Sequence, residues 1–506
     1  MSALYSFAFI ATLFGLLVWI LLPGKRATRL FSIFFFLGLG IWGLSIILHP
    51  VSNSFKLFVA FRDLIFISVS AGIIIWSRSN KIISLGLLIG LGIFIKSFYF
   101  SYLRNTFRVV LEIPLDPEGE LLVELSPSGN IEDLERALKR YTVQIQPAFD
   151  PREKASTDLD EYFLVNIPDD QVNRLSRIER VIRKLPAVVW VERNESLVAT
   201  PEIAEVIGRS GNSFGLNDPY VDQQWALGEL QIEKVHHILS SAEIRPQKKA
   251  LVAILDTGID ANHEDLQGHY QSTKAEYDVD RRGHGTHVAG IACAVTNNRI
   301  GIASLVSNPD LVSITSVKVF SDLGFGSQHS VIAGMIEAAD KEADVISMSL
   351  GGRTSDERER AYIQAVEYCQ SKGAIVVVAA GNAADNAKLF APANIPGVIT
   401  VSAVDEKLLK APFSNHVSDL ERGIAAPGDR IFSTYPNNQY RTFRGTSMAT
   451  PYVAGLVGIM KSIRPELTTD DVYRILHSTA KKIRTQRETG RFIQPGDAIQ
   501  AVMKLN

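Results

Sequence analysis

Charged side chains are distributed very unevenly along this chain of 506 residues. Residues 1–103 contain only nine of them, eight basic and one acidic, whereas the remainder carries 44 basic and 53 acidic side chains. An apolar block therefore precedes a long acidic region with a formal net charge near −9. A protein that binds nucleic acid needs the opposite balance of charge, so we expect no nucleic acid partner.

The apolar block has the pattern of a set of membrane spans. A helix needs about 20 mostly apolar residues to cross about 30 Å of hydrocarbon, and four stretches have about that length: Leu4–Leu22, Leu30–Leu48, Phe55–Trp76 and Ile82–Leu103. Arg62 and Asp63 interrupt the third stretch, so either they pair or the span begins after them. We predict a four-helix transmembrane region over residues 1–103.

Basic residues in the short loops set the predicted orientation of these spans. Positively charged loops favour the cytoplasmic side, and five basic residues fall on one side of the predicted spans: Lys25, Arg26, Arg29, Arg78 and Lys81. The segment after residue 103 is then extracytoplasmic. The predicted localisation is a multi-pass membrane protein with its larger part outside the cytoplasm.

Residues 104–198 have the pattern of a small α+β domain. Alternating apolar and polar residues predict four strands. Two segments with apolar residues at helical spacing predict helices, one between the first and second strands and one between the third and fourth. This pattern predicts two helices against one antiparallel sheet. Residues 199–216 are rich in Gly, Ser, Pro and Asn, which is typical of an exposed linker.

Residues 217–506 alternate apolar strands with helices, which is typical of a parallel sheet covered by helices on both faces. The predicted strands are Ala250–Leu255, Leu311–Val319, Asp344–Met348, Ala374–Ala380 and Gly397–Ala403. In such a sheet, ligands bind at the carboxyl ends of the strands. Polar residues that follow these strands are therefore candidates for the functional site.

Three of those candidates have the chemistry of nucleophilic catalysis. Asp256 ends an apolar strand, His284 lies in the run Gly-His-Gly-Thr-His, and Ser447 lies in Gly-Thr-Ser-Met-Ala-Thr-Pro. A serine hydroxyl becomes a useful nucleophile when a histidine removes its proton and a carboxylate holds that histidine. Asn382 follows another buried strand, in Ala-Ala-Gly-Asn, and offers an amide N–H to a developing oxyanion.

These motifs resemble those of the subtilisin-like serine peptidases, the subtilases, over about 290 residues; the order Asp, His, Ser is the one known for that family. The resemblance implies that Asp256 orients His284, that His284 is the general acid and base, and that Ser447 is the nucleophile. Asn382 becomes the oxyanion donor. The implied fold is a subtilisin-like α/β domain over residues 217–506, and the implied activity is that of a serine endopeptidase acting through an acyl-enzyme.

The same resemblance implies where a polypeptide substrate binds. The run Ser347-Met348-Ser349-Leu350-Gly351-Gly352 corresponds to the strand edge that pairs with extended substrate, and Ser349, Leu350 and Gly351 line the first pocket. An extended peptide that adds a strand to a sheet edge is a common mode of recognition. The alternative is a core strand that ends in a glycine turn.

A structural calcium ion is implied by a further similarity, and no organic cofactor is expected. Calcium takes six to eight oxygen ligands, and the ligands implied here are the side chains of Asp265 and Asn298 and the carbonyls of Thr296, Ile300 and Ile302. The chain has one residue more between His284 and this loop than the family pattern, so a solvated turn is the alternative. His287 follows His284 by three residues, but no third metal ligand lies nearby, so we expect it to pack in the core.

The α+β domain resembles the inhibitory propeptide of the same family, chiefly in its last strand; the alternative is an unrelated ferredoxin-like domain. The implied partners are polypeptide substrates, the chain's own propeptide as an intramolecular inhibitor, and the membrane. We therefore predict a membrane-anchored serine endopeptidase matured by cleavage within residues 193–216, which would release the peptidase from the spans. The alternatives are a catalytically silent scaffold and a membrane sensor with proteolytic output.

Overall fold

The computed structural model describes residues 2–21, 25–47, 53–77, 119–199, 202–205, 214–241, 244–354 and 359–505. Its contacts divide the chain into two units, Met1–Pro114 and Leu115–Asn506. The domain boundaries expected after residues 103, 198 and 216 stay predictions. The fourth expected span, Ile82–Leu103, lies outside the described residues.

The first unit is helical where it is described. Its helices are α1 (Ser2–Leu21), α2 (Lys25–Ile47) and α3 (Asn53–Ser77). Asp63 is fully buried, and its carboxylate is paired with Arg62 at 2.7 Å. Trp42 Nε1 and the Tyr5 hydroxyl also donate to it. Since a buried charge is tolerated only when it is paired and hydrogen-bonded, this network explains how two charged residues fit inside an apolar helix.

The predicted membrane localisation is wrong on this evidence. Across the residues described in the structure, no helix combines the length and the apolar character that crossing a membrane requires. A span demands about 20 consecutive apolar residues, and in α3 the charged pair Arg62–Asp63 interrupts the apolar run. The expected transmembrane region and the expected extracytoplasmic placement therefore find no support.

The second unit begins with a four-stranded antiparallel sheet whose order is β2-β3-β1-β4. Its strands are β1 (Leu121–Leu125), β2 (Gln144–Pro147), β3 (Tyr162–Asn166) and β4 (Val188–Arg193). Helix α4 (Ile131–Leu138) connects β1 to β2, and α5 (Leu175–Ile182) connects β3 to β4. Asn130 caps α4 by accepting from the N–H of Glu132, and the buried faces of both helices cover the sheet. The result is the β-α-β-β-α-β arrangement that the alternation predicted.

A six-stranded parallel sheet, ordered β15-β14-β12-β10-β7-β8, forms the centre of the rest of the unit. Its strands are β7 (Ala250–Asp256), β8 (Val312–Lys318), β10 (Val345–Met348), β12 (Ile375–Ala379), β14 (Ile399–Val404) and β15 (Gly423–Pro427). Almost every residue of these strands is buried, because helices pack on both faces of a parallel sheet. The predicted parallel α/β fold is confirmed.

Among the described residues, three further small sheets are formed by shorter strands. They are β5 (Ser196–Val198), β6 (Glu202–Ile203), β9 (Phe325–Ser327), β11 (Gly352–Arg353), β13 (Phe390–Ala391), β16 (Ile431–Tyr435) and β17 (Gln439–Arg444). They form antiparallel pairs: β5 with β9, β6 with β17, β11 with β13 and β16 with β17.

The helices of the same region are α6 (Trp225–Glu229), α7 (Ile232–Leu239), α8 (His284–Cys293), α9 (Gln328–Asp340), α10 (Arg360–Ser371), α11 (Thr446–Ile463), α12 (Thr469–Thr479), α13 (Gln486–Thr489) and α14 (Pro495–Met503). Every residue of α11 except Ser447 is buried. A helix that is apolar on all sides belongs in a core, so α11 provides a rigid base for the residue at its start. Cys293 and Cys369 are both buried and free.

Candidate active site

Asp256 and His284 meet at the carboxyl edge of the central sheet. Asp256 is the last residue of β7 and His284 is the first residue of α8. His284 Nδ1 lies 2.8 Å from Oδ1 and 2.9 Å from Oδ2 of Asp256. A carboxylate only accepts hydrogen bonds, so Nδ1 carries the hydrogen and Nε2 is the basic nitrogen.

Local backbone geometry explains how His284 reaches this position. The preceding residue, Gly283, has φ +81°, and a Cβ atom there would lie 2.0 Å from the ring of Tyr435. Only glycine combines that conformation with so close an approach. The glycine therefore lets α8 begin directly at the histidine.

Ser447 lies in the first turn of α11 and faces the end of β10. Its hydroxyl donates to the carbonyl of Ser349 at 3.2 Å, and the Ser349 hydroxyl donates to the carbonyl of Ser447 at 2.8 Å. Among the hydrogen bonds of the described residues, Ser447 Oγ pairs with Ser349 and not with His284 Nε2. Catalytic hydrogen bonds often form only when substrate is bound, so this rotamer is compatible with a nucleophilic role.

Asn382 lies in the same crevice, after β12. Its side-chain oxygen accepts from the backbone N–H of Thr446 at 2.8 Å and from the Thr446 hydroxyl at 3.0 Å. Its Nδ2 lies on the side of Gly445, where a Cβ atom would be 3.2 Å from Nδ2 and 3.7 Å from Cβ of Ser447. The amide is therefore anchored by its oxygen and directs its donor toward the serine.

Comparisons with known proteins identify the family of this chain. The model of the Subtilase family matches residues 247–493. Thermitase from Thermoactinomyces vulgaris is 38% identical over 273 residues, which cover 53% of this chain and 92% of thermitase. A thermophilic serine proteinase from a Bacillus species is 33% identical, covering 72% of this chain and 83% of that protein. The chain belongs to the subtilase family.

Subtilisin DY from Bacillus licheniformis is a further relative, 38% identical over 46% of this chain and 84% of its own length. A solved protease from Pseudoalteromonas arctica aligns with 57% of this chain and 99% of its own, at a TM-score of 0.51 and 28% identity. This subtilase is accordingly a serine-type endopeptidase, a hydrolase of peptide bonds.

The predicted substrate edge of this subtilase continues from β10. Ser349 and Leu350 are buried, whereas Gly351 is exposed. Gly352 pairs with Ala391 in the antiparallel ladder between β11 and β13. Sequence patterns did not indicate that pairing, because strands of two residues leave no periodic signal. The exposed part of the edge is therefore short and begins at Gly351.

Asp265 lies against the loop at residues 296–302, which carries the other predicted calcium ligands. Asp265 Oδ1 accepts from Asn298 Nδ2 at 2.9 Å, and Oδ2 accepts from the N–H of Ile302 at 2.8 Å. Sequence reasoning missed Asp218, whose carboxylate accepts from the N–H groups of Asn297 and Asn298 in the same loop. Burial raises the pKa of Asp265 to about 7, and the charge of Asp218 adds to that rise.

His287 packs in the core, as expected. Its ring stacks on Phe443 with the centroids 4.4 Å apart, and its Nε2 lies 3.0 Å from the carbonyl of Arg441. Burial lowers its pKa well below the ordinary histidine value. The ring is therefore neutral and links α8 to β17.

Proposed function

We propose that Asp256, His284 and Ser447 form the catalytic triad of this endopeptidase and that Asn382 stabilises the oxyanion. The observation that carries this proposal is the pairing of the Asp256 carboxylate with His284 Nδ1 at 2.8 and 2.9 Å. That pairing fixes the ring so that Nε2 is available as a base. Asp256 ends one strand and Asn382 follows another strand of the same sheet, and His284 and Ser447 lie at the starts of two buried helices, so their relative positions are rigid.

In the first half-reaction, Ser447 Oγ attacks the carbonyl carbon of the substrate and its proton passes to His284 Nε2. The carbonyl oxygen becomes an oxyanion, which the Nδ2 donor of Asn382 stabilises. The backbone N–H of Ser447 is a second donor, because N–H groups in the first turn of a helix have no partner within that helix. The C–N bond then breaks as His284 returns its proton to the leaving amine.

In the second half-reaction, water replaces the amine. His284 Nε2 removes a proton from that water, and the resulting hydroxide attacks the ester carbonyl of the acyl-enzyme. The ester bond breaks, the proton passes to Ser447 Oγ, and the carboxylic acid leaves. Asp256 stays ionised throughout and stabilises the imidazolium. We assign the recognition of an extended polypeptide to Ser349, Leu350 and Gly351, at the edge that follows β10.

We also propose that the β-α-β-β-α-β domain is an inhibitory propeptide. Charged contacts with α9 and α10 support this role. Glu124 pairs with Arg360 at 2.6 Å, and Glu192 accepts from Gln328 Nε2 at 2.9 Å. Both carboxylates are buried against these two helices, so this domain and the peptidase share a specific interface.

The strands that follow this domain pair with segments that are close in sequence to catalytic residues. Strand β5 pairs with β9, and the N–H of Ala199 donates to the carbonyl of Gly324 at 2.8 Å; Gly324 lies close to Arg282, two residues before His284. Glu202 of β6 pairs with Arg444, three residues before Ser447. Because both strands pair beside catalytic segments, we expect self-cleavage in this part of the chain, within residues 193–216.

The test is the mass and the N-terminal sequence of the purified full-length protein beside those of a Ser447→Ala variant. We expect the wild type to split and the variant to stay whole. Ser462→Ala is the matched control, because Ser462 lies on the same helix and its hydroxyl caps a carbonyl within that helix. The control should split like the wild type.

The possible outcomes test the propeptide boundary, the role of Ser447 and the triad separately. A wild-type N-terminus outside residues 193–216 would refute the proposed propeptide boundary. Splitting of Ser447→Ala at the same rate as the wild type would refute the role of Ser447 in that cleavage. An intact wild type that also fails to react with a serine-directed phosphonate would refute the triad.

We propose that a calcium ion binds at the loop of residues 296–302. The ligands would be Asp265 and Asn298 through their side chains and Thr296, Ile300 and Ile302 through their carbonyls. Asp265 and Asp218 are both buried, and the negative charge of Asp218 makes ionisation of Asp265 less favourable. Oxygen ligands of this kind are those that calcium prefers. The ion would neutralise both charges and tie the loop to the residues before α6.

A further inference from the structure

A buried carboxylate that does not belong to the triad joins the two segments that carry Asp256 and His284. Asp280 is 5% exposed and accepts five hydrogen bonds. Its Oδ1 accepts from Thr257 Oγ1 at 2.9 Å, from the N–H of Arg282 at 3.0 Å and from the N–H of Gly283 at 2.7 Å; its Oδ2 accepts from the N–H and the hydroxyl of Thr286 at 2.9 and 2.8 Å.

These hydrogen bonds link Asp280 to residues next to Asp256 and His284. Thr257 follows Asp256 directly, and its N–H donates to Asp256 Oδ1 at 2.8 Å. The Thr257 hydroxyl, which donates to Asp280, also accepts from the N–H of Gly285 at 3.0 Å. Gly283 and Gly285 flank His284. The turn after β7 and the first turn of α8 are therefore held by the same carboxylate.

We propose that Asp280 is a positioning residue of this peptidase, whose carboxylate sets the distance and orientation between Asp256 and His284. It touches neither substrate nor the reacting atoms. Its position at the N-terminus of α8 also satisfies N–H groups that have no partner within the helix. The inference rests on the proposed roles of Asp256 and His284.

Asp280 also acts on His284 through its charge. The titratable groups that act on the ring are Asp256 from β7, Asp280 from the preceding loop and His287 from α8 itself, and Tyr435 from β16 packs against the adjacent Gly283. Burial disfavours the charged ring, but Asp256 and, to a lesser degree, Asp280 favour it, and the net effect raises the pKa of His284 above 6.5. The base is active when neutral, so activity should fall as the pH drops through that raised value.

The test compares Asp280→Asn with the wild type in steady-state hydrolysis of a peptide substrate. Asparagine keeps the shape of the side chain but loses the charge and presents N–H groups to backbone donors. We expect kcat to fall by about 10- to 100-fold, as for other small misplacements of a catalytic group, while KM changes little. The acid limb of the pH profile of kcat/KM should move to lower pH.

The matched control is Asp278→Asn. Asp278 lies two residues away in the same loop, but its carboxylate accepts from the hydroxyls of Tyr270 and Ser272, both at 2.6 Å. We expect kcat and the acid limb to stay at the wild-type values. Titration of competent sites with a serine-directed phosphonate separates a loss of folded enzyme from a loss of turnover for each site.

If the Asp280→Asn protein does not fold, a second pair of variants tests the same inference. Thr257→Val removes the hydroxyl that links Asp280 to the turn after β7, and Thr257→Ser keeps it. We expect the valine variant to lose much more kcat per titrated site than the serine variant.

The inference would be overturned if folded Asp280→Asn protein had the wild-type kcat per titrated site and an acid limb at the wild-type pH. Equal kcat in the two Thr257 variants would overturn it as well. An inactive wild type would instead refute the proposed function.

Discussion

At the scale of single residues, each polar group at the cleft is fixed by a partner behind it. His284 is held through Nδ1 by Asp256, and Asn382 is held through its oxygen by Thr446. In both cases the remaining nitrogen, Nε2 of His284 or Nδ2 of Asn382, faces the crevice and is the atom assigned to catalysis. Preorganised donors of this kind stabilise developing charge without having to rearrange during the reaction.

Asn382→Ala tests that view of the oxyanion site. Loss of the donor should lower kcat by roughly 10²- to 10³-fold with little change in KM, a magnitude taken from subtilisin itself rather than derived from this chain. Steady-state kinetics on a peptide substrate provide the measurement. Asn386→Ala is the control, because Asn386 lies in the same loop but its side chain accepts from the N–H of Lys388. A kcat for Asn382→Ala within threefold of wild type would rule out the assigned role.

At the scale of elements, the sequence placed the central strands within about two residues, but the starts of the helices that carry His284 and Ser447 depend on packing. Helix α8 begins at His284 and α11 begins at Thr446. Their first turns include Gly285, Thr286 and Ser447, which are weak helix formers. Packing against neighbouring strands, rather than propensity, fixes these turns, so periodicity could not detect them.

The strand β15 was missed for a related reason. Its sequence, Gly-Ile-Ala-Ala-Pro, has only one large apolar side chain and ends in a proline. Such a run has a weak strand signal by itself. It becomes a strand because β14 offers a free parallel edge, with Val401 paired to Ile424. Only the assembled sheet provides that edge.

The loop at residues 296–302 yields a prediction about calcium. Removal of calcium by a chelator should lower the Tm of the protein, and Asp265→Asn should abolish the difference between calcium-loaded and chelated samples. Binding only to the folded state stabilises by about 2.7 kcal/mol at a hundredfold excess over Kd. Calorimetry with and without calcium measures the effect.

The control for this experiment is Asp310→Asn, which changes an exposed carboxylate in a different loop. It should keep the full response to calcium. A wild-type Tm that does not change between saturating calcium and chelator would contradict the proposed site, and the solvated turn would then be the better description of the loop.

At the scale of the whole molecule, the interface between the α+β domain and the peptidase contains a buried carboxylate, Glu192. Glu192 accepts from Gln328, from Trp190 Nε1 at 3.0 Å and from the N–H groups of Arg360 and Ala361 at the start of α10. Burial raises its pKa from 4.5 to about 7, against the opposing effect of these hydrogen bonds.

The sign of the resulting pH dependence follows from linkage. The bound state holds a proton that a separated, exposed Glu192 releases, so association should weaken as the pH rises between about 4.5 and 7, by up to about tenfold per pH unit. We expect the two fragments of the self-cleaved protein to co-elute in gel filtration near pH 5 and to separate more readily near pH 8.

Glu192→Gln should remove most of this dependence, because glutamine keeps the shape of the side chain and does not titrate. Glu135→Gln is the control, since Glu135 is exposed on α4, and it should behave like the wild type. Equal dissociation of the wild-type fragments at both pH values would show that Glu192 does not govern this interface.

The sequence by itself determined the family, the α/β class and the identity of the candidate triad, because these depend on short motifs at the ends of strongly apolar strands. Its membrane prediction failed, because apolar content alone does not show how a charged pair such as Arg62–Asp63 is accommodated within a helix.

The tertiary structure alone decided which groups surround those motifs. Asp280, Asp218 and Glu192 are ordinary acidic residues in the sequence, and each becomes significant only because folding buries it beside a distant segment. The same holds for β5 and β6, whose partners β9 and β17 lie more than 100 residues away. Local patterns specify elements through propensity and burial, whereas contacts between distant segments depend on the geometry of the assembled sheet.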